Sequence, residues 1–268
     1  MHRVLAIMGS PRRGDTYHLT QRIEEEMARQ DEVSFDYLWL READLRPCTG
    51  CCACFWGGEE RCPLKDDRAE IERRMLDADG VIFASPVYAL SMTGLMKTLL
   101  DRLAYVLHRP RFFEQKALIV VSAGAAGVKQ TQDAIANVRY MGFDVVGRVG
   151  LAMLPKPWTR AEQRQMASRT ERAGRSLLSA MQRNRRSAPN LLETMYFRVQ
   201  QAAFEANREE QPADYEYIAE RGWFDRSRRW YVDAPVNPAY DLLARSAAAM
   251  VRRQVTARQR ALQREGGR

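Results

Sequence analysis

Short apolar runs alternate with longer amphipathic segments along the first two thirds of the chain. The apolar runs predict five strands, at about 3–8, 33–40, 80–84, 116–122 and 143–151. The amphipathic segments predict helices near 16–29, 67–78, 92–107, 128–141 and 160–182. Strands separated by helices need crossover connections, so the alternation predicts an α/β fold, a doubly wound five-stranded parallel sheet with helices on both faces.

Two of the predicted strands end in the same Ser-Pro dipeptide. Ser10-Pro11 follows the first strand, and Ser85-Pro86 follows the third. In a sheet of strand order 2-1-3-4-5, the topological switch point lies between strands 1 and 3, and ligands bind outside the carboxyl ends of the strands there. The pattern therefore predicts that both Ser-Pro loops lie at one ligand site.

The first loop, residues 9–16, has the composition of a phosphate-binding loop. Its glycines permit tight turns, Ser10 and Thr16 offer hydroxyl groups, and Arg12 offers a charged guanidinium. The following helix adds its positive end. The loop matches neither the nucleoside-triphosphate P-loop nor the Gly-x-Gly-x-x-Gly fingerprint. A second interpretation is an ordinary helix cap, with Asp15 or Thr16 at the N-cap.

The second loop offers a different chemistry. The backbone amides near Ser85, the small hydroxyls and the ring of Tyr88 suit a flat heteroaromatic ring that needs edge hydrogen bonds and face packing. A third loop, residues 122–127, follows the fourth strand, and its small residues permit close backbone approach. Lys97 and Asp101 are spaced to form an ion pair within the next helix.

All five cysteines of the chain lie within one short segment. Four of them have the spacing Cys-x2-Cys-x2-Cys-x7-Cys, namely Cys48, Cys51, Cys54 and Cys62, and Cys52 is additional. Such clustering favours metal or redox chemistry over structural disulfides in a cytosolic protein. Three interpretations remain open: an iron–sulfur (4Fe–4S) cluster, a zinc site or redox-active thiol pair, and a loop that keeps the pattern without a cofactor.

The positive charge of the chain is concentrated in its last part. Residues 1–155 carry 20 Lys and Arg against 21 Asp and Glu, whereas residues 156–268 carry 22 against 13, and the net charge is +8. We predict a cofactor-binding domain at 1–183 and a basic, aromatic, mostly helical extension at 184–268. A solvated face on Arg-rich helices accounts for the charge, and no nucleic-acid-binding motif is present, so nucleic acid is not an expected partner.

The apolar stretches of the chain are short. None reaches the length of about 18 uncharged apolar residues that a membrane span requires, and the first apolar run ends in Gly-Ser-Pro rather than at a signal-peptide cleavage site. We therefore expect no membrane span and a cytoplasmic location.

Several motifs together resemble a known family. They are GSPR with Thr16, SPVY followed by Lys97-x-x-x-Asp101-Arg102, and the cysteine-rich segment before Asp66-Asp67. In this combination the chain looks like the flavodoxin-like NAD(P)H-dependent FMN reductases, and within them the iron–sulfur flavoprotein branch. The resemblance covers about residues 1–155. It implies a flavodoxin-like sheet, FMN as cofactor and NAD(P)H as co-substrate.

The resemblance also implies three groups of site residues. Those for the FMN phosphate are Ser10, Arg12 and Thr16. Those for the isoalloxazine ring are the backbone of Ser85, Pro86, Val87 and Tyr88 on one side and Gly124 in the third loop. Those for a 4Fe–4S cluster are Cys48, Cys51, Cys54 and Cys62. The first loop is one residue shorter than in many relatives and has Asp15 where Asn is usual.

The activity implied by the resemblance is that of an FMN-dependent oxidoreductase that passes electrons from NAD(P)H to a quinone, a flavin or another small acceptor. The alternatives are an iron–sulfur flavoprotein that relays electrons between protein partners, and a flavin-binding sensor without enzymatic activity. No side chain is expected to act as a catalytic acid or base, and His108 has no predicted role. We expect a homodimer or homotetramer, because the aromatic residues of the extension offer more apolar surface than a monomer leaves exposed.

Overall fold

Five parallel strands form one sheet in the order β2-β1-β3-β4-β5. The strands are β1 (His2–Met8), β2 (Val33–Trp39), β3 (Gly80–Pro86), β4 (Lys116–Ala123) and β5 (Asp144–Ala152). The computed structural model describes residues 1–152, 157–183 and 185–266. It confirms the predicted flavodoxin-like fold, with all four neighbouring pairs of strands parallel.

The described helices lie between the strands and after them. In chain order they are α1 (Asp15–Ala28), α2 (Ala53–Gly57), α3 (Arg68–Leu76), α4 (Gly94–Arg102), α5 (Tyr105–His108), α6 (Val128–Ile135), α7 (Arg160–Gln182), α8 (Leu191–Ala206), α9 (Pro212–Glu220) and α10 (Pro238–Gly266). Two short 3-10 helices add Glu59–Arg61 and Ala136–Met141. Among the helices of the described ranges, none combines the length and the apolar character needed to cross a membrane.

The chain forms two compact units. The first comprises residues 1–49, 64–104 and 111–185, and the second comprises residues 50–63, 105–110 and those from 186 onward. The sheet and its covering helices lie in the first unit. Most of the cysteine segment, which is residues 48–62, lies in the second. The division into a domain at 1–183 and an extension at 184–268 stays a prediction, and the second unit contains two additional segments from within 1–183.

The sheet is buried on both faces by side chains that alternate along the strands. On one face, Val4 of β1 packs in an apolar cluster with Ile23 of α1 and Leu177 of α7. On the other face, Phe83 of β3 lies edge-on to Phe143, with ring centroids 5.3 Å apart. Because both faces are filled by apolar side chains, the polar groups available for binding lie at the ends of the strands.

Two predicted helices end earlier than their amphipathic pattern suggests. The helix predicted over 92–107 starts at Gly94, since the Thr93 side chain accepts a hydrogen bond from the backbone N–H of Met96, and it ends at Arg102 before the separate α5. The helix predicted over 128–141 changes to a 3-10 helix after Ile135. Apolar spacing predicts which face is buried, but it does not predict these interruptions.

The aromatic residues of the C-terminal part form a core within the second unit. Phe197 of α8 contacts Trp230 and Tyr231, with ring centroids 5.8 Å and 4.6 Å apart, and Tyr231 contacts Trp223 at 4.8 Å. All four side chains are buried. Helix α9, which begins with Pro212 at its first position, was not predicted. Because these aromatics are buried, they no longer support the predicted oligomer.

Candidate functional site

The loops that follow β1, β3 and β4 surround one cavity at the carboxyl ends of the strands. Its volume is about 410 Å³, within the range of about 300–1,000 Å³ typical of small-molecule sites. The lining residues are Ser10, Arg12, Gly14, Asp15, Thr16, Pro86, Val87, Tyr88, Ser122, Ala123 and Gly124. The cavity thus lies at the predicted switch point of the sheet.

The first loop folds back on itself before α1 begins. The Ser10 hydroxyl donates to the carbonyl oxygen of Arg12 at 2.7 Å, and the Gly14 N–H donates to the same oxygen at 2.9 Å. Gly14 is the N-cap of α1, and no side chain caps the helix, so the interpretation with Asp15 or Thr16 as N-cap is wrong. The first N–H groups of a helix have no partner within it, so the start of α1 offers donors and a positive dipole end to the cavity.

The second loop is held close to the third by backbone contacts. The Val87 N–H donates to the carbonyl oxygen of Ser122 at 2.7 Å. Gly127 has a φ of +88°, and a Cβ at this position would lie 2.7 Å from Cγ1 of Val87, so only glycine fits here without displacement. Tyr88 is 47% exposed, and its backbone exchanges two hydrogen bonds with Ser91 across a tight turn. The ring of Tyr88 is therefore available at the edge of the cavity.

Ser85 differs from the other predicted site residues. Its side chain is fully buried and does not line the cavity. The hydroxyl donates to the carbonyl oxygen of Pro86 at 2.9 Å and accepts from the N–H of Thr93 at 3.1 Å. Thr93 in turn donates through Oγ1 to the carbonyl oxygen of Gly9 at 2.7 Å. Ser85 thus connects the end of β3 to the start of α4.

Seven of the eight predicted FMN contacts lie along the cavity, namely Ser10, Arg12, Thr16, Pro86, Val87, Tyr88 and Gly124. Ser10 and Thr16 are buried, whereas Arg12 is exposed at the rim. Four lining residues, Gly14, Asp15, Ser122 and Ala123, were not predicted as contacts. Each of the four lies within two positions of a predicted contact in the sequence, and this proximity could have identified them as lining residues. The assignment of these contacts to FMN stays a prediction.

Comparison with known proteins identifies the family of this chain. The sequence model of the family described as NADPH-dependent FMN reductase matches residues 2–154, which include every strand of the sheet. The chain belongs to this family. As an NADPH-dependent FMN reductase family member, it has the cavity at the position where β1, β3 and β4 end.

Curated relatives of this family member carry the name iron–sulfur flavoprotein. One from Methanocaldococcus jannaschii is 37% identical over 101 residues, which is 37% of this chain and 51% of the relative, so the match spans about half of that relative. One from Archaeoglobus fulgidus is 31% identical over 157 residues, covering 57% of this chain and 70% of the relative. The chain therefore belongs to the iron–sulfur flavoprotein branch.

A solved structure shares the fold of this reductase family member. It is described as RosB with a bound 8-demethyl-8-formylriboflavin-5'-phosphate intermediate. The TM-score is 0.52 at 13% identity, over 88% of this chain and 92% of that one. At this identity the likeness establishes the fold alone.

The cavity of this family member fits a phosphorylated flavin. The uncapped start of α1 and the hydroxyls of Ser10 and Thr16 provide donors for a phosphate, and Arg12 adds a guanidinium. Small residues at 123–124 and the strand end at 86–88 leave room for a flat ring beside the Tyr88 side chain. The donor set thus has the chemistry that an FMN site requires.

A buried ion pair joins the residues that flank the cysteine segment. The Arg102 guanidinium bonds both carboxylate oxygens of Asp66 and donates to the carbonyl oxygen of Arg46 at 2.8 Å. The Asp66 and Arg102 side chains are almost completely buried. The N–H of Arg46 donates to Asp66 at 3.1 Å, so the chain before the cysteines is tied to the chain after them.

The cysteines themselves do not form a ligand group in the part of the chain that the structure describes. Cys48, Cys51 and Cys52 are exposed, and Cys54 and Cys62 are partly buried. Within the described residues, no group of three or more Cys, His, Asp or Glu side chains is arranged to hold a metal ion. The four predicted ligands therefore do not fit a 4Fe–4S cluster in this arrangement, and no electron-transfer step is assigned through one.

Proposed function

We propose that the chain is an NADPH-dependent FMN reductase that passes electrons from NAD(P)H to a quinone, a flavin or another small acceptor. When bound, FMN would supply the redox chemistry, which is the uptake of hydride from a nicotinamide and the release of electrons to the acceptor. The protein binds and orients the two partners, and no side chain of the cavity is proposed as an acid or base. The match of the family model to residues 2–154 supports this proposal.

The proposed binding mode assigns the two ends of FMN to different groups of the residues that line the cavity. Arg12, Ser10, Thr16 and the start of α1 hold the phosphate through charge-assisted hydrogen bonds. The backbone of residues 86–88 and that of Gly124 contact the isoalloxazine ring. Ser85 has a supporting role, because its hydroxyl binds the backbone at Pro86 and Thr93 rather than lining the cavity. One observation supports the proposal most directly. The same cavity is lined by hydrogen-bond donors suited to a phosphate and by the aromatic side chain of Tyr88.

Purified protein tests the proposal directly. We expect one flavin per chain, identified as FMN after heat release, and bleaching of the flavin absorbance by NADPH under anaerobic conditions. Addition of a quinone should restore the absorbance and support repeated turnover. Riboflavin binding as tight as FMN binding would contradict the phosphate site. Retained FMN without bleaching by NADPH or NADH would instead favour the flavin-binding sensor.

A second candidate is an electron carrier between proteins. It is favoured by the 31% identity to an iron–sulfur flavoprotein over 70% of that relative, together with the four-cysteine spacing. A carrier would take up electrons at the flavin and turn over slowly with small acceptors. Rapid NADPH-driven reduction of a quinone would exclude it as the main activity.

The homodimer or homotetramer stays a prediction, which light scattering at micromolar concentration tests.

A further inference from the structure

A buried carboxylate in α9 lies at the centre of a polar network within the second unit. Asp214 is fully buried. Its Oδ2 lies 2.7 Å from Nδ1 of His108, and its Oδ1 accepts from the Arg109 guanidinium. Burying a charged carboxylate is costly unless it is paired and hydrogen-bonded. Asp214 therefore depends on both residues.

Arg109 connects this carboxylate to the cysteine segment. The Arg109 side chain is 3% exposed. Its Nη2 donates to the carbonyl oxygen of Cys54 at 2.7 Å and to Oε2 of Glu59 at 3.0 Å. Beside it, the ring of His108 packs against Phe55, with centroids 4.5 Å apart. One guanidinium thus binds α9 and both of the short helical turns that follow Cys52.

The helix within the cysteine segment, α2, is too short to be stable on its own. Helix α2 has only five residues, none of them buried, and no side chain caps its start at Cys52, whose φ is +57°. Isolated helices of this length are unstable in water, because too few hydrogen bonds offset the cost of nucleation. Contacts made from outside α2 must therefore hold it in place.

We propose that Asp214 and Arg109 are positioning residues for the cysteine segment, and that the C-terminal part of the chain holds this segment in a fixed conformation. The proposal does not depend on FMN reductase activity or on a cluster. It assigns a role to His108 as well, for which the sequence indicates none, since its ring fills the space between Phe55 and Phe204.

The test compares two buried carboxylates of the same unit in the full-length chain. Asp214→Asn removes the charge that binds Arg109, whereas Asp241→Asn removes a buried charge that binds Arg198 and Arg245. Hydrogen exchange and N-ethylmaleimide labelling of residues 50–63 are followed by mass spectrometry. For Asp214→Asn we expect labelling of Cys54 and Cys62 to accelerate about tenfold or more, because the loss of a charge-assisted bond opens the segment locally.

The control variant should lower the melting temperature without changing exchange or labelling in residues 50–63. Glu59→Gln weakens one Arg109 contact and leaves Asp214 paired, so it should give a smaller acceleration even if Asp214→Asn folds poorly. Unchanged exchange of the segment in both Asp214→Asn and Glu59→Gln would overturn the proposal. Equal acceleration in Asp241→Asn would also overturn it, because the effect would then reflect general destabilisation.

Discussion

Thr16 and Ser122 join two loops of the cavity through their side chains. Thr16 Oγ1 and Ser122 Oγ lie 2.6 Å apart, and both residues are buried. One is in the first turn of α1, and the other is near the end of β4. The pair therefore fixes the phosphate side of the cavity to the loop proposed to contact the flavin ring.

Thr16→Val tests this connection, because valine keeps the shape and loses the hydroxyl. The Ser122 hydroxyl then stays buried without its hydrogen bond to Thr16. This loss should lower the free energy of unfolding by about 1–3 kcal/mol. The FMN dissociation constant should rise about three- to tenfold, measured by flavin fluorescence titration. Thr20→Val is the control, since Thr20 is buried on the same helix and does not line the cavity. An equal loss of FMN affinity in Thr20→Val would contradict the assignment.

Arg12→Ala tests the phosphate contact. Loss of a charge-assisted contact of about 1.5–3 kcal/mol should raise the FMN dissociation constant by about ten- to a hundredfold. Riboflavin, which lacks the phosphate, should bind both proteins similarly. Arg13→Ala is the neighbouring control, because Arg13 does not line the cavity and lies near the rings of Tyr17 and Trp39. Unchanged FMN binding by Arg12→Ala would place the phosphate elsewhere.

The sheet could be predicted from the sequence because its buried strands are continuous apolar runs. Val81, Ile82 and Phe83 all point into apolar surroundings, as parallel strands covered on both faces require. Strand order then places the ends of β1 and β3 side by side, which accounts for the correct location of the cavity. The apolar pattern and the strand order do not predict where a single hydroxyl points. The sequence therefore did not indicate that the Ser85 side chain is buried and hydrogen-bonded to the backbone at Pro86 and Thr93.

The network around Asp214 could not be predicted from local patterns. Asp214 and Arg109 are 105 positions apart in the chain. Periodicity and capping signals describe neighbours within a few turns, and they carry no information about such a pairing. For the same reason, the burial of Trp223 and Trp230 in a core of their own was not predicted.

Asp66 gives the protein a pH-dependent contribution to stability. Burial alone would raise the pKa of its carboxyl, but hydrogen bonds from Arg102 and from the N–H groups of Arg46 and Arg68 lower the pKa below its usual value. A lowered pKa stabilises the fold above the unfolded value of about 3.9. This contribution is lost as the pH falls through the folded pKa.

Asp66→Asn should therefore lower the free energy of unfolding by about 3–5 kcal/mol at pH 7, since it leaves Arg102 buried without its carboxylate. Urea unfolding at several pH values should show the difference from the original chain shrinking below about pH 4. Asp101→Asn is the control, because its pair with Lys97 is exposed and contributes at most about 0.5 kcal/mol. A difference that stays constant from pH 7 to pH 3 would contradict this assignment.

The last prediction concerns the five cysteines, which distinguish a plain FMN reductase from an iron–sulfur flavoprotein. In the arrangement described, Cys48, Cys51 and Cys52 are exposed, so these thiols should react first with N-ethylmaleimide. A 4Fe–4S cluster requires four thiolate ligands, and the segment would have to close around it. Cys52 is not one of the four predicted ligands, and it therefore serves as an internal control.

If the segment does close around a cluster, anaerobic incubation with ferrous iron and sulfide should protect the four predicted ligands, Cys48, Cys51, Cys54 and Cys62, from labelling, while Cys52 remains reactive. Iron analysis should then give about four irons per chain, and serine at any of the four positions should remove most of the iron while leaving FMN bound. Cys52→Ser should keep the iron. If all five cysteines label as before and no iron binds, the segment holds no cluster, and the flavin cavity alone accounts for the activity.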